Sequence, residues 1–104
     1  MADNMSLKII LHAPTPAALG RARNNAINVM REAPDAQVRI VVNAQAVAAV
    51  LDAAEEEMDA LTWLCPVTLL RTNRESRAPL QVLSGAAVLE VARMQQAGWV
   101  YIRA

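Results

Sequence analysis

A chain of 104 residues with ten basic and ten acidic side chains, 55% hydrophobic residues and one cysteine leaves few functional classes open. The length fits one domain spanning residues 1–104. Scattered arginines, without interleaved aromatics, offer no stripe for nucleic acid. A lone cysteine forms no internal disulfide, and no apolar run approaches the roughly 20 residues of a membrane span.

The polar start, Met1-Ala2-Asp3-Asn4-Met5-Ser6, lacks the basic region and long apolar stretch of a signal peptide. A reducing cytoplasm is therefore expected, which keeps Cys65 a thiol. Leu7 to His12 is a short apolar run of strand formers and predicts the first strand. Pro14-Thr15-Pro16 breaks it, with Thr15 a helix cap and Pro16 the first helical residue. The helix runs to about Glu32, with Leu19, Ala22, Ala26, Val29 and Met30 at helical spacing, and Pro34-Asp35 stops it. Asn24, Asn25 and Asn28 are poor helix formers; they suit solvent, or contacts to a neighbouring subunit or the site edge.

Val38 to Val42 predicts a second strand, and Asn43 is placed to cap a helix from Ala44 to about Ala54. Glu55-Glu56-Glu57 reads as that helix's exposed end or a linker. Thr62 to Cys65 predicts a third strand, and Pro66 to about Asn73 a helix. Arg71, Arg74 and Arg77 read as a solvated helix end. Pro79 to Leu83 predicts a fourth strand closed by Ser84-Gly85. A helix follows from Ala86 to Ala97, ended by Gly98, and Trp99 to Arg103 alternates as a fifth strand.

Strands alternating with helices imply an α/β domain with a mainly parallel five-stranded sheet covered on both faces. Ligands in such sheets bind outside the carboxyl ends of the strands. The residues there are His12, Asn43, Cys65 and Ser84, all polar or reactive after apolar strands. Asn43 and Ser84 also suit plain caps or turns, and His12 a hydrogen-bonded loop residue. Cys65, preceding Pro66, is expected to be the helix N-cap with its sulfur near free N–H groups, one setting for a reactive thiolate. Two readings stay open for it: a reactive thiol, or a buried small hydrophobe. A helix N-terminus alone contributes about 0.3–1 kcal/mol to a charge, under roughly one pKa unit. A dominant thiolate therefore needs a further donor or cation, such as His12 or a neighbouring subunit's arginine.

Other templates fail. Gly20, Gly85 and Gly98 are isolated, so no phosphate loop exists. One His and one Cys build no zinc site within one chain, and no cofactor is expected. With 55% hydrophobic residues but no phenylalanine, the apolar content is mostly small and aliphatic. So small a domain is expected to cover part of that surface in a homo-oligomer.

The stretch Val82 to Arg103, with its Ser84-Gly85 turn and Gly98-Trp99-Val100-Tyr101 ending, resembles the DsrE/DsrF-like (YchN-like) proteins. Lys8 to His12, Arg23 to Asn28, and the Cys65-x-x-Thr68 spacing fit the same family, and the likeness covers nearly the whole chain. The resemblance implies a three-layer α/β/α sandwich assembled as trimers or hexamers. It also implies a role in a sulfur relay, with Cys65 carrying sulfur as a persulfide between a protein donor and acceptor, and Thr68 beside it. The chain departs from the family pattern in two places. Asn43-Ala44-Gln45-Ala46 replaces a glycine-rich turn, and Val67 stands where a polar residue is frequent. Without the resemblance, a non-catalytic oligomeric module that binds a ligand or partner is the competing reading.

Overall fold

The computed structural model describes residues 6–104. The polar segment 1–5, read above as lacking signal-peptide features, lies outside the described residues. Five strands form one sheet: β1 (Lys8–Ala13), β2 (Gln37–Val42), β3 (Thr62–Leu64), β4 (Gln81–Val82) and β5 (Val100–Arg103). The helices are α1 (Pro16–Glu32), α2 (Gln45–Asp52), the single turn α3 (Glu56–Asp59), α4 (Pro66–Thr72) and α5 (Ala87–Gln96). The strand order is β4-β3-β2-β1-β5, and every pairing is parallel.

That order decides which face each helix covers. From β1 to β4 the chain steps one strand at a time in one direction, so right-handed crossovers put α1, α2, α3 and α4 on one face. From β4 it returns to the far edge, so the same rule puts α5 on the other. The core divides accordingly. Ile9, Leu11, Val38, Ile40, Val42 and Leu64 pack against Ala18, Leu19, Ala22 and Ala26 of α1 and Val47 and Val50 of α2. Alanines at a four-residue spacing let α1 lie close to the sheet. Ile10, Val41 and Cys65 pack on the opposite side with Ala87 and Met94 of α5. The result is the expected three-layer α/β/α arrangement.

Local signals set the helix ends. Thr15 Oγ1 accepts the Ala18 N–H at 3.1 Å, with Pro16 opening α1. α5 closes in a Schellman motif: Trp99 N–H donates to Met94 O at 2.9 Å and Gly98 N–H to Gln95 O at 3.1 Å. Gly98 supplies the left-handed φ of +99° that this turn needs.

Four expectations change. β4 pairs over only two residues, because the preceding segment is a turn and the Leu83 N–H gives the last bond to β3, at Leu64 O, before the chain bends away. Asn43 does not cap α2: the cap position is Ala44, at φ +50° and ψ −134°, and no side chain caps this end. The acidic run is neither a plain helix end nor a linker; it leads into α3, whose Met58 and Asp59 are buried. Arg77 is not a solvated arginine. It donates to Asp59 Oδ2 at 2.9 Å and to the Val50 and Leu51 carbonyls at 2.6 and 3.1 Å, closing the end of α2.

Arg39 lies on the α5 side of β2 and is sandwiched between both tryptophans. Its guanidinium carbon is 4.6 Å from the Trp63 ring centroid and 4.8 Å from that of Trp99. Cation–π attraction lets this charged group sit under a helix beside an apolar core.

The left-handed Ala44 is a strained position. A non-glycine residue there costs roughly 1–3 kcal/mol, more than the backbone entropy that glycine adds. Ala44→Gly is therefore expected to raise the thermal midpoint by about 5 °C, on the scale of roughly 1 kcal/mol for a domain this size. A calorimetric scan of the two proteins measures it.

Candidate functional site

The topology opens one crevice at the carboxyl edge of the sheet. After β3 the chain turns onto one face as α4; after the adjacent β4 it turns to the other face as α5. The two departures diverge, which is the geometry of a switch point. Cys65 stands at that fork as the N-cap of α4, with Pro66 in the first helical position.

The sulfur is 5% exposed as part of the residue and forms the floor of a cleft of about 240 Å³. Its full backbone hydrogen bond comes from across the fork: Ala87 N–H donates to Sγ at 3.4 Å. The Val67 and Thr68 N–H groups of α4 and the Thr68 hydroxyl also favour the charged sulfur, without closing a capping bond. Burial pushes the thiol up, but these four donors together outweigh burial and hold Cys65 below the usual thiol range. The expected helix-end effect is thus joined by the further donor it needed, and that donor comes from α5 and Thr68.

Thr68 also links the sulfur to the strained turn. Its Oγ1 accepts the Ala44 N–H at 3.2 Å, so its own O–H is free to donate to Cys65. Arg71, one helical turn further along α4, lines the same cleft and pairs with no carboxylate among the described residues. Ala44 adopts the glycine-type conformation and presents its amide to Thr68.

The other residues at this edge separate. His12 makes no hydrogen bond to Cys65. Its Nδ1 is 2.6 Å from Tyr101 Oη and its Nε2 is 2.9 Å from Asn43 Oδ1. Because an amide oxygen only accepts, Nε2 carries a proton; in the neutral ring the Tyr101 hydroxyl then donates to Nδ1. Asn43, freed from capping, orients this imidazole. Ser84 is exposed in the turn after β4 and does not line the Cys65 cleft. A second cavity of about 380 Å³ lies beside the cleft, with His12, Asn43 and Tyr101 at one end and α5 side chains along its wall. The two cavities share Asn43, Ala87 and Val88.

The chain matches no family model and no curated protein. The site's reading therefore rests on its own chemistry. No group of three or more His, Cys, Asp or Glu residues fit to hold a metal occurs among the described residues. No helix among them is long and apolar enough to cross a membrane. Asn24, Asn25 and Asn28 are exposed on α1 and lie outside both cavities. The sequence reading missed Tyr101 and Arg71. Tyr101 reaches His12 only because β5 pairs with β1, which strand alternation alone does not reveal.

Linkage makes the lowered thiol measurable. A group whose acidity is strengthened by folding stabilises the fold above its unfolded pKa and loses that contribution as pH falls through the folded value. The stability gap between the wild type and Cys65→Ser should therefore widen as pH rises toward about 8.5, the ordinary thiol value, and level off above it. Urea midpoints of the two proteins under reducing conditions test this; a gap independent of pH counts against a perturbed thiol.

Proposed function

We propose that the protein is a DsrE-like sulfur carrier of the reducing cytoplasm, loading and releasing sulfur as a persulfide on Cys65. The observation that carries this reading is the convergence of donors from two helices on one sulfur at the floor of a cleft. Loading begins with attack of the Cys65 thiolate on the outer sulfur of a persulfide R–S–SH. The S–S bond to the inner sulfur breaks, a new S–S bond forms on Cys65, and R–S⁻ leaves to take up a proton. Release reverses the roles: an acceptor thiolate on a protein partner attacks the outer sulfur and Cys65 departs as thiolate. Both steps exchange one S–S bond for another and need no external oxidant. A thiol held at low pKa is the better leaving group in the second step, which is where the donors on Cys65 act most strongly. Neither step calls for a proton from His12.

The exposed apolar side chains Leu89 on α5, and Val100 and Ile102 on β5, support assembly into a homo-oligomer, trimer or hexamer. Native mass measurement gives the subunit number.

The test is incubation with a persulfide donor followed by intact mass and peptide mapping. Addition of one sulfur at Cys65, absent from Cys65→Ser, is expected. One observation favours the competing module with a structural cysteine: Cys65 is only 5% exposed and packs beside Ile10, Val41 and Leu83. In that case no sulfur is gained, and thiol reagents label Cys65 only after denaturation.

A further inference from the structure

The cavity of about 380 Å³ beside the Cys65 cleft has a composition of its own. One wall is built from α5, with aliphatic Ala87, Val88, Val91 and Ala92 and the uncharged amide of Gln95. Its other end is the hydrogen-bonded row Tyr101–His12–Asn43, spanning contacts of 2.6 and 2.9 Å. With Asn43 Oδ1 occupied by His12, the Asn43 amide N–H groups remain as donors; Tyr101 Oη, donating to Nδ1, keeps lone pairs as an acceptor. No lysine, arginine, aspartate or glutamate lines the space. An uncharged group that both donates and accepts matches this end, and a short aliphatic arm matches the wall. Asn43, Ala87 and Val88 belong to both cavities, so a molecule seated here borders the cleft that holds the thiol.

Building on the carrier role proposed above, we infer that the sulfur donor is a low-molecular-weight persulfide with an uncharged amide head on a short alkyl arm. The head sits against Asn43 and Tyr101, the arm lies along α5, and the outer sulfur enters the Cys65 cleft. Transfer is the balanced exchange already given, with the alkyl thiolate leaving and taking up a proton. His12 is a positioning residue here: it holds Asn43 and Tyr101 and touches no reacting atom.

The test compares three donors that share a two-carbon arm, generated in situ: the persulfides of N-acetylcysteamine (neutral amide), cysteamine (cation) and 3-mercaptopropionate (anion). The rate of sulfur gain at Cys65 is followed by intact mass. The amide donor is expected to load about tenfold faster than either charged donor, since a charge in this uncharged pocket is left unpaired. Ala92 is exposed and lines this cavity but not the Cys65 cleft. Ala92→Trp, and the milder Ala92→Leu should the larger side chain impair folding, are expected to erase the preference while alkylation of Cys65 by iodoacetamide is unchanged. Equal loading by all three donors, the outcome if a second copy of the chain fills the cavity, overturns the inference and leaves Cys65 a carrier. Faster loading by the anion, drawn to Arg71 instead, does the same. Absence of sulfur gain from every donor overturns the carrier reading itself, and the donor assignment falls with it.

Discussion

Asp59→Ala is expected to lower the thermal midpoint by about 20 °C, the largest stability loss available to a single substitution here. The Asp59 side chain is fully buried, and its two oxygens take three donors. Arg23 Nη2 lies 3.2 Å from Oδ1, while Arg77 Nη1 at 2.9 Å and the Glu55 N–H at 3.0 Å reach Oδ2. The two arginines continue outward to the carbonyls of Ala53, Val50 and Leu51. One carboxylate thus ties α1, α2, α3 and the segment after α4 together. Its removal leaves Arg77 without a carboxylate partner among the described residues and Arg23 with only the exposed Glu55, 3.6 Å from its Nη1. Breaking a buried pair in this way costs about 3–5 kcal/mol, and a domain of this size loses about 4–8 °C per kcal/mol. Asp59→Asn, which keeps one acceptor and loses the charge, should fall between. Because α3 leads into the amino end of β3, this network sits at the edge of the sheet opposite Cys65. Below its lowered midpoint the variant should still alkylate Cys65 at the wild-type rate. Calorimetry and iodoacetamide kinetics on the same sample check both halves; an unchanged midpoint would show that the ion cluster contributes nothing.

Thr68→Val is expected to slow the reaction of Cys65 with thiol reagents about fivefold near neutral pH, leaving the fold intact. The lost hydroxyl is one of the groups that favour the charged sulfur, and a hydrogen bond to a charged group contributes about 1.5–3 kcal/mol. Its loss raises the thiol's pKa and lowers the thiolate fraction near neutral pH. The thiolate that remains is intrinsically more nucleophilic, with a Brønsted slope of about 0.45, which recovers nearly half of the loss. The order should invert at alkaline pH, once both proteins are ionised and the more basic thiolate reacts faster. Thr68→Ser keeps the hydroxyl and should track the wild type. A purely steric role for Thr68 predicts no inversion, so the pH profile separates the two accounts.

Much of the layout is legible in local chemistry. The apolar runs Leu7–His12 and Val38–Val42 are too short for helices, Thr15-Pro16 opens α1, and Gly98 closes α5 as read. Alternation of strand and helix then fixes the carboxyl edge as the place for His12, Asn43 and Cys65. What escapes a linear reading is partnership across long separations. Asp59, following Glu55-Glu56-Glu57, looks like one more solvated acid; its burial depends on Arg23 and Arg77, 36 and 18 residues away. Asn43 has the chemistry of a cap, but the left-handed Ala44 takes that position and leaves its amide to His12. Arg39 between Val38 and Ile40 looks outward by alternation, yet that face of the sheet carries α5 and both tryptophans. Nothing in the alanine at position 44 signals a bend, yet the backbone there turns as a glycine's would and the cost is borne as strain.

The pairing of Trp63 and Trp99 around Arg39 gives the molecule a one-sided optical signature. Both indoles of the chain report from the α5 layer, and none from the layer of α1 and α2. Intrinsic fluorescence will therefore register loosening of α5 while remaining silent about the larger helical layer that circular dichroism follows. Denaturation curves from the two signals coincide only if the layers come apart together, and a fluorescence transition that runs ahead would mark the cover over Cys65 as the first part of the protein to open.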